Sequence, residues 1–180
     1  MPVAYSKRFI FETSVSVVSG APPDVVYDAV ADLRTHLQWA GERAASDTFK
    51  LLSLEGPAGP AREGAVFTSD GAADNGTFHD RSTVTEALRP ARFAFETDAL
   101  LERIRGRNWE ARFSHRYDIS PEGSGSRIVY TDTVREVNYV PYWLQPWCRP
   151  VTRRMIHRAD TRQMEGLARF AEERAARTEG

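Results

Sequence analysis

The residues best placed to do chemistry lie on two consecutive alternating stretches. In Asn108 to Ile119, Trp109, Ala111, Phe113, His115, Tyr117 and Ile119 fall on one face, and Glu110, Arg112, Ser114, Arg116 and Asp118 on the other. Strand side chains alternate, so His115 belongs to the apolar, inward face. In Arg127 to Val137, Ile128, Tyr130, Asp132 and Val134 share the face expected to point inward, because the opposite set, Val129, Thr131 and Thr133, is only weakly apolar. If the two strands pair with Ile119 opposite Ile128, Tyr117 meets Tyr130 and His115 meets Asp132, an arrangement that a slip of one residue would destroy. An inward imidazole beside an inward carboxylate has three readings. It is a general base in an apolar pocket, a polar anchor for a ligand, or a buried pair that satisfies itself, since neither group is cheaply buried without a hydrogen bond. Structural and anchoring roles rank ahead of catalysis, because structural networks also perturb pKa values. No catalytic residue is assigned; His115 and Asp132 are the candidates if one exists.

Other inward positions follow from the same alternation. Phe78, Asp80, Ser82, Val84 and Leu88 share a face of their stretch, which turns Asp80 and Ser82 toward the interior, and Phe93 and Phe95 share a face of the next. Trp39 could wall one mouth of a cavity, and Met155 and Ala159 lie on the apolar face of a C-terminal helix. For each aromatic, core packing competes with ligand contact. Familiar enzyme signatures are missing. Gly123-Ser124-Gly125 is a hairpin turn and no nucleophile elbow, and there is neither a P-loop nor a dinucleotide fingerprint. His36, His79, His115 and His157 stand on separate elements without ligand spacing, so neither a metal nor another cofactor is expected.

Those side chains need elements to hold them. Phe9 to Val18 reads as a half-buried strand. Pro22-Pro23-Asp24 opens a helix with Val25, Val26, Ala29 and Val30 at helical spacing, and Leu33 to Trp39 forms a second short helix ending at Gly41. Short strands follow over Thr48 to Leu54, Ala65 to Ser69, Thr77 to Leu88, Arg92 to Thr97, Asn108 to Ile119 and Arg127 to Val137. The turn-rich segments between them, Asp70-Gly71 and Arg89-Pro90 included, are too short for parallel crossovers. Leu144 to about Ala176 is helical, its regular part confined to after Arg149 by Pro146 and Pro150. Val151, Met155, Ala159, Gln163, Leu167 and Phe170 form its face. The expectation is an α+β fold: a curved antiparallel sheet of about seven strands wrapped around a long C-terminal helix, with two short helices after the first strand. Such a sheet leaves space above it for a small molecule.

Composition narrows the partners. The chain has 180 residues, suited to one domain over 1–180 with a core of about 9–175. Its 24 basic residues against 25 acidic ones argue against nucleic acid as a partner. Cys148 is the lone cysteine, which rules out an internal disulfide or a site with two thiolates. Met1 to Phe11 does not read as a secretory signal, so the default compartment is the cytoplasm.

Several segments carry a family resemblance. Ser19-Gly20-Ala21-Pro22-Pro23-Asp24-Val25-Val26-Tyr27 into Asp32-Leu33, Trp39, Ser82-Thr83-Val84-Thr85-Glu86 before Arg89-Pro90-Ala91-Arg92-Phe93, Ser126-Arg127-Ile128-Val129-Tyr130-Thr131 and Met164-Glu165-Gly166-Leu167 resemble the START-like helix-grip superfamily (SRPBCC) that includes the birch pollen allergen. The likeness is to its polyketide cyclase/dehydrase-like branch, and it spans roughly Phe9 to Phe170. It implies a cavity between sheet and helix for lipids, polyketides or other hydrophobic molecules. It carries over no catalytic residue, and a shared fold warrants only an analogy in function. The expected function is therefore binding of a hydrophobic or amphipathic small molecule. A polyketide cyclase or aromatase-like enzyme using His115 and Asp132, or a peripheral lipid-transfer protein, is the alternative. The last rests on Tyr139, Tyr142, Trp143 and Trp147 leading into Arg149, Arg153, Arg154, His157, Arg158 and Arg162, a pattern that suits an anionic membrane. Against it stands a plainer expectation, in which the aromatics cover the cavity's end and the arginines face solvent beside acidic neighbours.

Overall fold

A computed structural model describes residues 10–41, 49–138, 140 and 142–178. The expected strand starts at Phe9 and Thr48, the segment Met1 to Phe9 and Tyr139 lie outside the described residues. Strand β1 (Phe11–Ser19) is followed by helix α1 (Pro23–Ala31), a 3-10 turn at Leu33–Thr35 and a π turn at Leu37–Gly41. Strands β2 (Phe49–Glu55), β3 (Val66–Ala73), β4 (Gly76–Leu88), β5 (Arg92–Arg103), β6 (Trp109–Glu122) and β7 (Gly125–Val137) precede helix α2 (Gln145–Thr178). The seven strands form one antiparallel sheet in the order β1-β7-β6-β5-β4-β3-β2. The meander is interrupted once, where the N-terminal strand pairs with the last.

β6 and β7 pair Ile119 with Ile128, Tyr117 with Tyr130 and His115 with Asp132, the register that the alternation predicts. Three departures from sequence expectation have local causes. A bulge between Val84 and Glu86 reverses the parity of β4, so Ala87 packs on the core and Leu88 is 55 % exposed instead of inward. Asp70-Gly71 is no turn: β3 runs through it, and Gly71 is required because a Cβ there would lie 1.9 Å from the Phe78 ring. Helix α2 starts at Gln145, ahead of both prolines. Pro146 falls in the first turn, where an amide hydrogen has no intrahelical acceptor, and Pro150 forgoes one bond in an exposed stretch.

α2 rests mainly on β1, α1 and the π turn, not on the middle of the sheet. The core is accordingly divided. One cluster gathers Val26, Val30, Leu33, Trp39, Phe93, Tyr117, Ile128, Met164 and Leu167; the other holds Phe11, Val134, Val137 and Val140. A row of polar side chains separates them, and the cavity lies along that row.

Candidate functional site

Cross-strand register builds the site. One row across the sheet reads Phe95, His115, Asp132, Thr13, each residue opposite the next. On one side of it the row Tyr117, Tyr130, Val15 joins the larger core cluster; on the other, Phe113, Val134, Phe11 belongs to the smaller. α2 crosses the polar row with Asp160, whose Oδ2 accepts a 2.7 Å hydrogen bond from the Thr13 hydroxyl. A second polar patch lies on β3, β4 and β5. There Ser69 faces Asp80 across one ladder, and Ser82 and Thr97 share a 2.8 Å hydrogen bond across the next.

The two patches line one cavity of about 400 Å³. Phe67, Phe78, Phe95 and Phe113 supply most of its aromatic wall, with Leu51, Leu54 and Ile156. Of the residues expected at a site, Asp80, Ser82, Phe95, Phe113, His115 and Tyr117 line it from the sheet, with Tyr130 and Asp132 beside them. Met155 and Ala159 line it from α2, although both are exposed and stand at its rim. Three expected residues are elsewhere. Trp39 is fully buried, its indole N–H donating to Thr35 Oγ1 at 3.2 Å. Phe93 is fully buried edge-on to Tyr27. Trp109 sits at the far end of β6 under the Arg103 guanidinium, 4.5 Å from the ring centroid. Alternation assigns a face but not a position along the strand, so Phe93 and Trp109 were placed by parity without reaching the cavity, and Trp39 closes the core from the π turn.

Four polar cavity residues went unforeseen: Ser69 and Thr97 of the second patch, Asp160 and His36. Asp160 is buried on α2 one step round from the face expected. The observed buried face runs through Asp160, Met164, Leu167 and Ala171, while Val151 and Met155 are exposed. A lone carboxylate four residues before a methionine on that face was the available signal. His36 lines the cavity from the turn after α1, donating from Nε2 to the Val30 carbonyl at 2.7 Å. Its element is distant from His115 in sequence, and only the fold brings the two imidazoles to one space.

His115 and Asp132 are neighbours but not a hydrogen-bonded dyad. His115 Nδ1 is hydrogen-bonded to the Tyr130 hydroxyl at 2.7 Å, and Asp132 Oδ1 stands 3.5 Å from that nitrogen. Among the described residues, the buried Asp132 Oδ1 has no hydrogen-bond partner. Burial pushes the Asp132 carboxyl up to about 7. Asp160 also rises to about 7, through burial and then the charge of Asp132, against the pull of the Thr13 bond. Asp80 reaches about 7 through burial as well, with Asp70 adding to the rise and His79 opposing it. Burial drives His115 down to about 4, and His36 to about 4 despite its bond to Val30. Tyr117 and Tyr130 are held well above the usual phenol range by burial.

These shifts set the buried carboxyls apart from the imidazoles. Near neutral pH the imidazoles are uncharged and weakly basic, whereas Asp132 and Asp160 stand close to their titration midpoints, where a group can give or take a proton. No lysine or arginine among the described residues lines the cavity. Among the described residues no group of three His, Cys, Asp or Glu side chains could hold a metal ion.

Solved structures share this architecture. A protein from Rhizobium leguminosarum matches with a TM-score of 0.65 at 15% identity, over 91% of this chain and 95% of its own. Ara h 8.0201 matches with a TM-score of 0.59 at 13% identity, over 93% and 98%. DynU16, a protein of the dynemicin biosynthetic locus, matches at 0.51 and 18% identity, over 89% of this chain and 47% of its own. Identities this low speak for the fold alone. No curated protein matches the sequence. Residues 11–172 match the family described as polyketide cyclase / dehydrase and lipid transport, and a match over that much of the sequence shows that the chain belongs to it.

Proposed function

We propose that the protein binds a hydrophobic or amphipathic small molecule between its sheet and α2, with the apolar body against Phe67, Phe78, Phe95 and Phe113 and a polar group at the His115–Asp132–Asp160 row. The observation that carries this reading is Asp132 Oδ1, a buried acceptor without a partner among the described residues, on the wall of a cavity of about 400 Å³. A buried polar atom left unsatisfied costs about 1–3 kcal/mol, which a ligand hydrogen bond would recover. The volume falls within the range of small-molecule sites. Apolar contact adds about 25 cal/mol per Å² removed from water. Family membership supports a hydrophobic ligand of lipid or polyketide type without naming it.

The test is a titration with N-phenyl-1-naphthylamine, an uncharged apolar fluorophore, beside native mass spectrometry of freshly purified protein. Saturable binding that weakens in Ala159→Trp, a change at the exposed rim, is the expected result. Fluorescence that rises without saturating and is unaltered in the variant overturns the reading.

Cyclase-like proton transfer is the second reading, and the raised carboxyl of Asp132 favours it. In that chemistry Asp132, not His115, would exchange the proton, and His115 with Tyr130 would orient the substrate oxygen. Turnover of candidate polyketides should drop at least about 100-fold in Asp132→Asn; an unchanged rate removes Asp132 from the mechanism.

A further inference from the structure

The first half of α2 does not look like a helix that closes a core. Trp143, in the 3-10 turn Tyr142–Leu144, is 72 % exposed, and on α2 Trp147 is 78 %, Val151 71 % and Met155 63 % exposed. These four step by four residues, the spacing that keeps helical side chains on one face. Trp143 and Trp147 thus stand in solvent and do not cover the cavity's end. Arg154, Arg158 and Arg162 step by four alongside them, and Arg149 and Arg153 add charge from the remaining surface; all five are exposed.

The expected acidic neighbours are few: on α2, Asp160 and Glu165 flank Arg162, and no acid of the helix stands nearer the tryptophans. From Val137 to Ala159 the sequence contains no Asp or Glu, in a chain whose net charge is −1. Among the described residues, none of these five arginines forms an ion pair, although arginines on the sheet, such as Arg89, Arg92 and Arg112, do. Basic charge is therefore left unneutralised along one side of an exposed apolar row. Among the described residues no helix is long and apolar enough to cross a membrane.

The geometry points to a docking surface for an anionic lipid bilayer, formed by Trp143, Trp147, Val151 and Met155 with the arginines beside them. Indoles and aliphatic side chains would enter the headgroup–acyl boundary while guanidiniums pair with lipid phosphates and carboxylates. Two features favour a bilayer over a second copy of the chain. Two facing copies would oppose like charges, and the row presents tryptophans, which prefer the membrane interface. Met155 links this surface to the cavity, since it both belongs to the row and lines the cavity wall. A molecule leaving the bilayer at that point would arrive at the cavity's rim.

Flotation of the full chain tests this with two vesicle compositions: phosphatidylcholine alone, and phosphatidylcholine with about one third phosphatidylserine. The protein should float with the anionic vesicles at low salt, remain unfloated with the neutral ones, and lose binding as salt screens the arginines. Trp143→Ser with Trp147→Ser should abolish flotation. Arg154→Gln with Arg158→Gln should weaken it roughly 30-fold, about fivefold for each charge near the surface. Wild-type protein that stays unfloated, or that binds both vesicles equally, overturns the proposal. So does concentration-dependent dimerisation in sedimentation that the tryptophan variants remove. N-phenyl-1-naphthylamine binding, measured on the same samples, separates a failed docking surface from a failed cavity.

Discussion

The two halves of α2 have been put to opposite uses. Beyond Asp160, Met164, Leu167, Phe170 and Ala171 are buried against α1, β1 and the sheet, and the helix completes the larger core cluster. Before it, Trp147, Val151 and Met155 face solvent, while Ile156 and Cys148 pack on the smaller cluster. Both halves carry apolar side chains, so apolar content alone does not separate them. What does is whether sheet side chains rise to meet the helix. Under the second half they do; under the first they stop at the polar row, leaving the cavity. A helix held at one end and spanning a gap at the other can serve ligand passage without sacrificing the fold.

The sharpest way to break that comparison is to truncate a side chain in each half. Leu167→Ala removes a fully buried side chain from the main cluster and should cost about 3 kcal/mol in urea denaturation. Val151→Ala and Met155→Ala, on exposed positions, should stay within about 0.5 kcal/mol. Equal losses in both halves would mean that the first half packs as tightly as the second, and the functional division of α2 would fall.

How far the sequence discloses this depends on the kind of information needed. Register was legible because β6 and β7 each carry one apolar face, and a slip would expose it; His115 opposite Asp132 followed directly. Bulges were not. Nothing about Thr85 marks the point where β4 changes parity, so Leu88 was assigned to the wrong side. Gly71 read as punctuation, whereas the Phe78 ring occupies the place of its missing Cβ. Asp160 escaped because the helix face was read one step out of phase, and an acid in an apolar stripe is legible only once the stripe is fixed. Phe93 and Trp109 show the remaining gap. Alternation says which way a side chain points, but which inward side chain meets a cavity depends on where α2 crosses the sheet.

The open half of the comparison has a pH signature. Asp132 ordinarily titrates near 3.8 and is raised to about 7 in the fold, so the folded protein holds a proton that the unfolded chain has already released. Its contribution to stability is full below pH 4 and is lost as pH rises through 7. Asp160 and Asp80 act in the same direction. His36 and His115, lowered from 6.5 to about 4, act oppositely: what they contribute above 6.5 is lost as pH falls through 4. The two sets therefore oppose each other between 4 and 6.5, and above 6.5 the carboxyls alone set the slope. Asp132→Asn should stabilise the protein at pH 8 by about 2 kcal/mol, below the full linkage of about 4 kcal/mol because relaxation around a buried carboxylate recovers part of its desolvation cost. Near pH 4 the gain should vanish. A gain of the same size at both pH values would assign the effect to packing, not to the proton.

The smallest effect concerns how the closed half is held. Glu172 Oε1 accepts a 2.7 Å hydrogen bond from the Gly20 backbone N–H and a 3.3 Å bond from Ser19 Oγ, tying α2 to the bend between β1 and α1. Ser19 Oγ also lies 3.2 Å from the Ala168 carbonyl and from the Ala21 nitrogen, so the hydroxyl sits in a buried polar knot under the helix. Glu172→Ala should therefore cost about 1 kcal/mol. Glu172→Gln keeps an acceptor oxygen and should cost less than half as much, whereas Arg158→Ala in the open half, which has no such partner among the described residues, should cost nothing measurable. If Glu172→Ala is also silent, apolar burial and the remaining Thr13–Asp160 and Ser19–Ala168 bonds pin the helix. In that case the division between its halves rests entirely on which side chains the sheet presents beneath them.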